Sequence, residues 1–188
     1  MSPLLLALGD SLTAGYGLLP DQSFAARLQA RLRHDRPGAE VLNAGISGDT
    51  TADGLRRLPR VLARLDRKPD LAIVELGAND LLRGIAPPQT EANLDAIIVE
   101  LTRCDIRVLL ATFTVPAFVG AAAARYNAIY PNVAARHGVP TQPFFPDGVM
   151  GHPAMVLRDR LHPNALAIER VVDAFAPAVL SALAAAPR

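Results

Sequence analysis

The segment from Asp70 to Leu76 reads DLAIVEL and is closed by Gly77. A short, continuous apolar run that ends at a turn-forming glycine is typical of a β-strand buried on both faces. Four further segments have the same character, and they extend from Leu4 to Leu8, Glu40 to Asn43, Arg107 to Thr112 and Val139 to Gln142. The second of these four is weak and the last is short, so the sequence predicts about five strands.

Segments with a helical spacing of apolar residues alternate with the predicted strands. They extend roughly over Ser23 to His34, Thr51 to Leu65, Gln89 to Cys104, Ala121 to His137 and Asn164 to Leu183. Apolar strands that alternate with amphipathic helices predict a parallel sheet with helices packed on both faces. The expected fold is therefore α/β, a flavodoxin-like three-layer α/β/α sandwich. Because the sequence contains neither an internal repeat nor a low-complexity linker, we expect residues 1–188 to form a single domain.

The composition excludes several classes of protein. The chain has 188 residues, 51% of them hydrophobic, and its formal net charge is +1. A balanced charge gives no reason to expect nucleic acid or an acidic membrane surface as a partner. Cys104 is the sole cysteine, so neither an intrachain disulfide nor a thiolate metal cluster can form. The oligomeric state has no signature in the sequence. Five serines are present, at positions 2, 11, 23, 47 and 181.

The start of the chain is read as a strand rather than as a targeting segment. Met1 to Leu8 is apolar, but it lacks a cationic region and a long hydrophobic region, and it continues directly into Gly9 and Asp10. No stretch approaches the roughly 20 apolar residues of a membrane helix. As the chain is written we expect a cytoplasmic protein, or a periplasmic or secreted one if a signal peptide has been removed.

Ser11 lies two residues beyond the first predicted strand, in the segment GDSL. Functional groups of open parallel sheets collect where strands end and helices begin, so Ser11 is a candidate nucleophile. The alternative is a helix N-cap, a position that serine favours. Gly-x-Ser-x-Gly, typical of α/β-hydrolases, does not match because residue 13 is Thr, and no phosphate-binding Gly-Lys-Ser/Thr follows.

Two further loops follow predicted strands and offer hydrogen-bond donors. In NAGISGDT, Gly45 and Gly48 let the backbone approach a ligand, and Asp49 or Thr50 would cap the next helix. In ELGAND, Asn79 offers a neutral amide of the kind that stabilises an oxyanion without titrating. An ordinary tight turn is the alternative for each loop. Ser47 is interpreted as a turn residue, and Asp80 as a local hydrogen-bonding or capping residue.

Asp159 and His162 form the most specific pattern in the chain. A carboxylate three residues before a histidine can accept a hydrogen bond from Nδ1, which leaves Nε2 as a base and stabilises the imidazolium. Pro163 and Asn164 are then expected to start the last helix. A surface histidine beside a helix start is the alternative. An acyl-transfer hydrolase needs a nucleophile, a base with an orienting carboxylate, and oxyanion donors. Together, the serine, the Asp–His pair and the donor loops would supply this set at one edge of the sheet.

These segments resemble the motif blocks of the GDSL family, also called SGNH hydrolases. The four blocks appear in order over nearly the whole chain as GDSL, Gly48 in SGDT, Asn79 in GAND and Asp159-x-x-His162. NAGISGDTT, ELGANDLLRG and YNAIYPNVA look closest to the bacterial thioesterase, lysophospholipase and arylesterase branch. Ala78 stands where close members often carry glycine.

The resemblance implies a flavodoxin-like fold and an enzyme that needs no cofactor and no metal. It assigns the nucleophile to Ser11, the base to His162 and the orienting carboxylate to Asp159. The oxyanion donors would be the backbone N–H groups of Ser11 and Gly48 and the side chain of Asn79.

The expected partner is a small-molecule ester or thioester. Two apolar loops should border the nucleophile and form an acyl groove, although ordinary loop packing is equally compatible; their candidate residues are Leu81, Leu82, Ile85, Val115, Pro116 and Phe118. Short- to medium-chain acyl or aryl esters are expected, with thioesters or lysophospholipids as further substrates. Alternatives are a carbohydrate acetylesterase of the same family or, in another class, a non-enzymatic flavodoxin-like module that binds phosphate.

Overall fold

The computed structural model describes residues 2–115 and 120–185, and its strands form a five-stranded parallel sheet. The sheet has the order β2-β1-β3-β4-β5, which is the order of flavodoxin-like folds. The predicted fold class is therefore confirmed. The strands are β1 (Leu4–Gly9), β2 (Glu40–Gly45), β3 (Leu71–Glu75), β4 (Arg107–Thr112) and β5 (Thr141–Pro143).

Helices pack on both faces of this sheet. Two of them, α1 and α4, were not predicted, because each has one turn and lies in a segment interpreted as a loop. The other helices correspond to the five predicted ones, with ends that differ by a few residues. The helices are α1 (Ser11–Ala14), α2 (Phe24–Leu32), α3 (Thr51–Leu62), α4 (Ala78–Leu82), α5 (Pro87–Arg103), α6 (Ala121–His137) and α7 (Ala165–Ala184).

Strand β1 shows why its sequence is apolar at every position. Leu5 and Ala7 join the core under α2 and α7, whereas Leu6 and Leu8 join the core under α3, α5 and α6. Successive side chains of a strand point to opposite faces, so a central strand between two helical layers must be apolar throughout. Each fully buried leucine contributes about 2 kcal/mol to the free energy of unfolding. The edge strand β2 is only partly buried, which accounts for its weak pattern.

The order of the strands creates a crevice between β1 and β3. The chain leaves β1 toward β2 on one side, and β3 lies on the other side, so the loops after β1 and β3 diverge. Ser11 follows β1 and Asn79 follows β3, which places both residues at this crevice. Among the residues described, no helix is both long enough and apolar enough to cross a membrane.

Candidate active site

Ser11 begins helix α1 directly after strand β1. The N-cap of α1 is Asp10, whose Oδ1 accepts a hydrogen bond from the backbone N–H of Leu12 at 3.0 Å. The alternative that Ser11 caps the helix is therefore wrong, and its hydroxyl remains available for another contact. Ser11 Oγ lies 3.0 Å from Nε2 of His162, a residue 151 positions away in the chain.

Asp159 holds the other side of the same imidazole. Asp159 Oδ2 lies 2.7 Å from Nδ1 of His162. Asp159 Oδ1 accepts hydrogen bonds from the backbone N–H groups of Leu161 at 2.9 Å and His162 at 3.0 Å. The hydrogen bond from Leu161, followed by those from the His162 side chain and backbone, lowers the pKa of Asp159 to about 2. Asp159 is therefore an anion at every pH near neutrality.

A short hairpin-like turn fixes the Asp159–His162 segment. Val156 and Pro163 form an antiparallel bridge, and the N–H of Leu157 donates to the carbonyl of His162 at 2.8 Å. Arg160 occupies the left-handed region with φ 60°, which non-glycine residues adopt at some cost in energy. The helix α7 begins at Ala165 with Asn164 as its N-cap. The expectation that Pro163 lies in the first turn of this helix is wrong, because Pro163 belongs to the bridge.

Tyr16 packs against the imidazole, a contact that the sequence analysis missed. The ring centroids of Tyr16 and His162 are 4.4 Å apart and the rings are inclined by 35°. Half of Tyr16 remains exposed. The contact restricts the rotation of the His162 ring. The sequence indicates only that Tyr16 is close to Ser11 in the chain, and this does not identify His162 as the residue that Tyr16 contacts.

The loop after β2 brings the backbone of Gly48 to the crevice. Gly48 has φ +87°, which favours glycine, and its carbonyl accepts a hydrogen bond from Arg83 Nη2 at 2.6 Å. Among the residues that the structure describes, the Gly48 N–H has no hydrogen-bond acceptor. Thr50, rather than Asp49, caps α3 in a capping box with Asp53.

Arg57 joins this loop to the end of strand β1. Arg57 Nε donates to Asp49 Oδ2 at 2.5 Å, and Arg57 Nη2 donates to the carbonyl of Gly9 at 2.9 Å. Both charged side chains are mostly buried. Arg57 therefore fixes the distance between the Ser11 and Gly48 segments, and no motif in the sequence indicated this role.

Asn79 connects all three strand ends. Its Nδ2 donates to Asp10 Oδ2 and to the carbonyl of Asp49, each at 3.0 Å. Asn79 is the second residue of α4. Gly77, the N-cap residue of this helix, has φ 122°. The amide nitrogen of Asn79 therefore lies between the segment of Ser11 and the segment of Gly48.

Asp80 was predicted as a local hydrogen-bonding or capping residue, and it does form hydrogen bonds, but with residues distant in the chain. It is fully buried, and its carboxylate accepts hydrogen bonds from the N–H of Thr51 at 2.8 Å and from the hydroxyls of Thr51 at 2.5 Å and Thr90 at 3.1 Å. These bonds tie α4 to the start of α3 and to α5. The correction follows from tertiary contact, since Thr51 lies 29 residues away in the chain.

Asp10 and Glu75 are a pair of buried carboxyl groups at the ends of β1 and β3, next to Ser11. Asp10 is 1% exposed and Glu75 is 5% exposed. Burial raises the pKa of Asp10 to about 6 against the opposing effect of its hydrogen bonds. Burial, followed by the charge of Asp10, raises the pKa of Glu75 well above its ordinary value. Glu75 stands inside the run DLAIVEL, where no motif indicates a functional role.

This pair predicts a pH dependence of stability. Between about pH 4 and pH 6 the folded protein binds a proton at Asp10 that an unfolded aspartate does not bind, so stability decreases as the pH rises through this window. We expect the free energy of unfolding of the wild type, relative to an Asp10→Asn/Glu75→Gln double variant, to be at least about 2 kcal/mol higher at pH 4.5 than at pH 7.5. The raised pKa of Asp10 contributes about this much, and the raised pKa of Glu75 adds to it.

Urea unfolding of both proteins at the two pH values measures this difference. The double variant is the matched control, because it keeps the other titratable groups. An unchanged or reversed difference would show that the pair does not carry raised pKa values.

The structure places the proposed acyl-groove residues in different environments. Leu81 packs against the core and Val115 is buried in it, so both are in the packed positions that ordinary loop packing gives. Leu82 is 64% exposed. Ile85 is partly buried, and its carbonyl accepts a hydrogen bond from the hydroxyl of Tyr126. Pro116 and Phe118 lie outside the described residues.

In the part of the chain that the structure describes, two cavities lie away from Ser11, His162 and Asp159. One of about 450 Å³ lies beside α1 and α2, and one of about 590 Å³ lies at the opposite edge of the sheet, beside Arg107 and His137. Neither is lined by Ser11, Asn79 or His162. The Ser11 site is therefore not part of either cavity.

Comparison with known proteins gives relatives along most of the chain. Esterase TesA from Pseudomonas aeruginosa is 39% identical over 170 residues, covering 90% of this chain and 84% of that protein. Thioesterase 1/protease 1/lysophospholipase L1 from Escherichia coli K12 is 40% identical over 164 residues, covering 85% of this chain and 75% of that protein. The crystal structure of AlinE4, an SGNH-hydrolase family esterase, matches with a TM-score of 0.80 and 44% identity over 98% of both chains.

These similarities define the class of the protein as a carboxylic ester hydrolase, as the sequence predicted. Residues 7–168 match the GDSL-like Lipase/Acylhydrolase family, and the chain belongs to that family. The resemblance inferred from the motif blocks is thereby confirmed. The non-enzymatic phosphate-binding alternative is set aside.

Proposed function

We propose that this protein hydrolyses acyl esters through a covalent intermediate on Ser11. The observation that carries the proposal is the line of contacts from Ser11 Oγ to His162 Nε2 at 3.0 Å and from His162 Nδ1 to Asp159 Oδ2 at 2.7 Å. A nucleophile, a base and an orienting anion in this order are the parts of a serine hydrolase triad.

In the first step Ser11 Oγ attacks the acyl carbon while His162 Nε2 takes the hydroxyl proton. The electron pair of the carbonyl moves to its oxygen, and Asp159 stabilises the imidazolium that forms. When the tetrahedral intermediate collapses, the bond to the leaving alcohol or thiol breaks, and that group takes the proton from His162. The acyl group is then esterified to Ser11.

In the second step water replaces the alcohol. His162 takes a proton from the water as its oxygen attacks the acyl carbon, and a second tetrahedral intermediate forms. Collapse breaks the bond to Ser11 Oγ, which takes the proton from His162, and the carboxylic acid leaves. The enzyme returns to its initial state without any other reactant.

The developing oxyanion needs donors in both steps. We assign this role to the backbone N–H groups of Ser11 and Gly48 and to the amide of Asn79. Support comes from their convergence at one crevice, since the Asn79 nitrogen bonds to both Asp10, which precedes Ser11, and Asp49, which follows Gly48. The backbone N–H groups are fixed before the reaction and act without a cost of reorganisation. The Asn79 amide has two hydrogens, which bond to Asp10 and to the Asp49 carbonyl at rest, and it exchanges the second of these bonds for one to the oxyanion.

The proposed substrate class rests on exposed apolar side chains that are close to the catalytic residues in the sequence. Large apolar side chains near the catalytic groups in the sequence are about half exposed or more, and they are Tyr16, Ile46, Leu82 and Leu161. An apolar rim of this kind favours an acyl chain or an aromatic alcohol over a sugar. We propose short- to medium-chain acyl and aryl esters, with thioesters and lysophospholipids as further substrates, in agreement with the names of the relatives.

A series of p-nitrophenyl esters from acetate to octanoate tests this substrate class. We expect kcat/KM to rise from acetate toward the medium-chain esters. Leu82→Ala should lower kcat/KM for octanoate relative to acetate by about fivefold, because part of a leucine contact is lost.

Val99→Ala removes a comparable exposed side chain on α5 and serves as the control. A maximum at acetate with a steep loss by butyrate would instead support the carbohydrate acetylesterase alternative. An unchanged chain-length profile in the Leu82 variant would remove this residue from the substrate site.

A further inference from the structure

Asp10 and Glu75 form a buried pair of acids that the proposed reaction does not use. They stand at the carboxyl ends of neighbouring strands, where Gly9 pairs with Glu75 across β1 and β3. The backbone N–H of Asp10 lies 3.4 Å from Glu75 Oε2, and the Thr13 hydroxyl donates to the same oxygen at 2.9 Å. A Cβ at position 9 would lie 2.0 Å from Thr13 Oγ1, so glycine is required for this contact.

Asp10 and Glu75 interact through their side chains, and two interacting carboxyl groups that are shielded from water cannot both be ionised at neutral pH. The surroundings decide which of them keeps the proton. Asp10 accepts hydrogen bonds from the Leu12 N–H and from Asn79 Nδ2, and the nearby His162 also lowers its pKa, whereas the charge of Asp10 raises the pKa of Glu75. The pKa of Glu75 is raised well above its ordinary value and that of Asp10 only to about 6. The proton therefore resides on Glu75, and Asp10 is the anion.

The Asp10 carboxylate imposes an orientation on the Asn79 amide. An ionised carboxylate only accepts hydrogen bonds, and the carbonyl of Asp49 on the other side also only accepts. If the Asn79 amide were rotated by half a turn, its oxygen would face both acceptors and would repel them. The two acceptors therefore hold the NH₂ group of Asn79, rather than its oxygen, between the Ser11 and Gly48 segments. In the proposed reaction the oxyanion takes over the hydrogen that the Asp49 carbonyl accepts at rest.

We propose that Asp10 is a positioning residue for the oxyanion-binding amide of Asn79, and that the proton on Glu75 allows the buried Asp10 carboxylate to remain ionised. The inference rests on the proposed role of Asn79. Asp10 itself contacts neither the substrate nor the reacting atoms. Its effect on the rate passes through the amide that it orients.

Asp10→Asn separates this role from helix capping. Asparagine is as good an N-cap as aspartate, so α1 is expected to persist. The new NH₂ group, however, removes the obligate acceptor that faces Asn79. We expect kcat to fall by about 10- to 100-fold while KM changes by less than about threefold, since the lost interaction is made in the transition state. Asp10→Ser, which keeps a capping oxygen but does not reach Asn79, should show the same loss.

Glu75→Gln is the conservative variant of the second acid. Its neutral amide, like the protonated acid, places no charge beside Asp10, so we expect most of the activity to remain. Asp70→Asn is the matched control for loss of a carboxylate, because Asp70 binds the N–H of Leu4 at the opposite edge of the sheet. It should leave kcat within about twofold.

A double-mutant cycle decides whether Asp10 acts through Asn79. In an Asn79→Ala background, Asp10→Asn should change kcat by less than about threefold, because the amide that it orients is absent. The same loss in both backgrounds would overturn the inference, as would a wild-type kcat in Asp10→Asn or an equal loss in Glu75→Gln. A wild-type rate in Asn79→Ala alone would instead remove the amide from the proposed mechanism and with it the premise of this inference, while the role of Ser11 would stand.

Discussion

Replacing Ser11 with alanine will lower kcat for p-nitrophenyl butyrate by about 10⁴-fold or more. Without Oγ there is no nucleophile to form the acyl-enzyme, and His162 Nε2 loses the partner that lies 3.0 Å away. Ser11 occupies the first position of α1, where alanine is compatible with the helix that Asp10 caps. The midpoint of thermal unfolding should therefore change little, so that the loss of activity reflects the missing nucleophile and not a loss of folding.

Ser47→Ala is the matched control for this substitution. Ser47 is exposed in the loop after β2 and precedes Gly48. We expect this variant to keep the wild-type rate. If Ser11→Ala retained activity within about tenfold of the wild type, Ser11 would not be the nucleophile.

Replacing Asn79 with alanine will lower kcat by about 10²- to 10³-fold, the range found when one oxyanion donor is lost. KM should change far less, because the oxyanion exists in the transition state and not in the bound ester. The truncation also removes the hydrogen bonds to Asp10 Oδ2 and to the carbonyl of Asp49. Steady-state kinetics with the same ester measures both parameters.

Asn43→Ala provides the comparison for Asn79. Asn43 is an exposed amide on β2 whose nitrogen lies 3.4 Å from the carbonyl of Ala14. Its loss should leave kcat within a few-fold of the wild type. A wild-type kcat in Asn79→Ala would remove that amide from the mechanism. If KM rose while kcat stayed at the wild-type value, the amide would instead be assigned to substrate binding.

The fold was predictable because its central strands have a simple pattern. Strand β3 is buried along its whole length, and the run that surrounds it is apolar and closed by glycine. The one-turn helices α1 and α4 were not predicted, since a single turn has too few residues to show a helical period. Their start depends on local capping at Asp10 and on the positive φ of Gly77.

The residues with a motif were predictable, whereas the residues that support them were not. Ser11, Asn79 and the Asp159–His162 pair each stand at a recognisable position after a strand or before a helix. Arg57 binds the carbonyl of Gly9 across 48 positions of the chain, and such contacts depend on the folded structure. One feature of the sequence does indicate a special role for Glu75, namely that it is a carboxyl group inside an otherwise apolar strand.

The acyl groove was the least predictable part of the site. Leu81 and Val115 were chosen because they follow strands, yet their side chains pack against the core. The sequence does not distinguish an apolar loop residue that faces the core from one that faces the substrate. Leu82, one position further along α4, is exposed instead, because neighbouring residues of a helix point in different directions.

The most direct test of Ser11 as the nucleophile is mass spectrometry of the protein after reaction with a p-nitrophenyl alkylphosphonate. This reagent phosphonylates an activated serine and releases p-nitrophenol. We expect one adduct, on the peptide that contains Ser11, and none in Ser11→Ala. An adduct on Ser47 or on another residue, or no adduct in an active preparation, would contradict the assignment of the nucleophile.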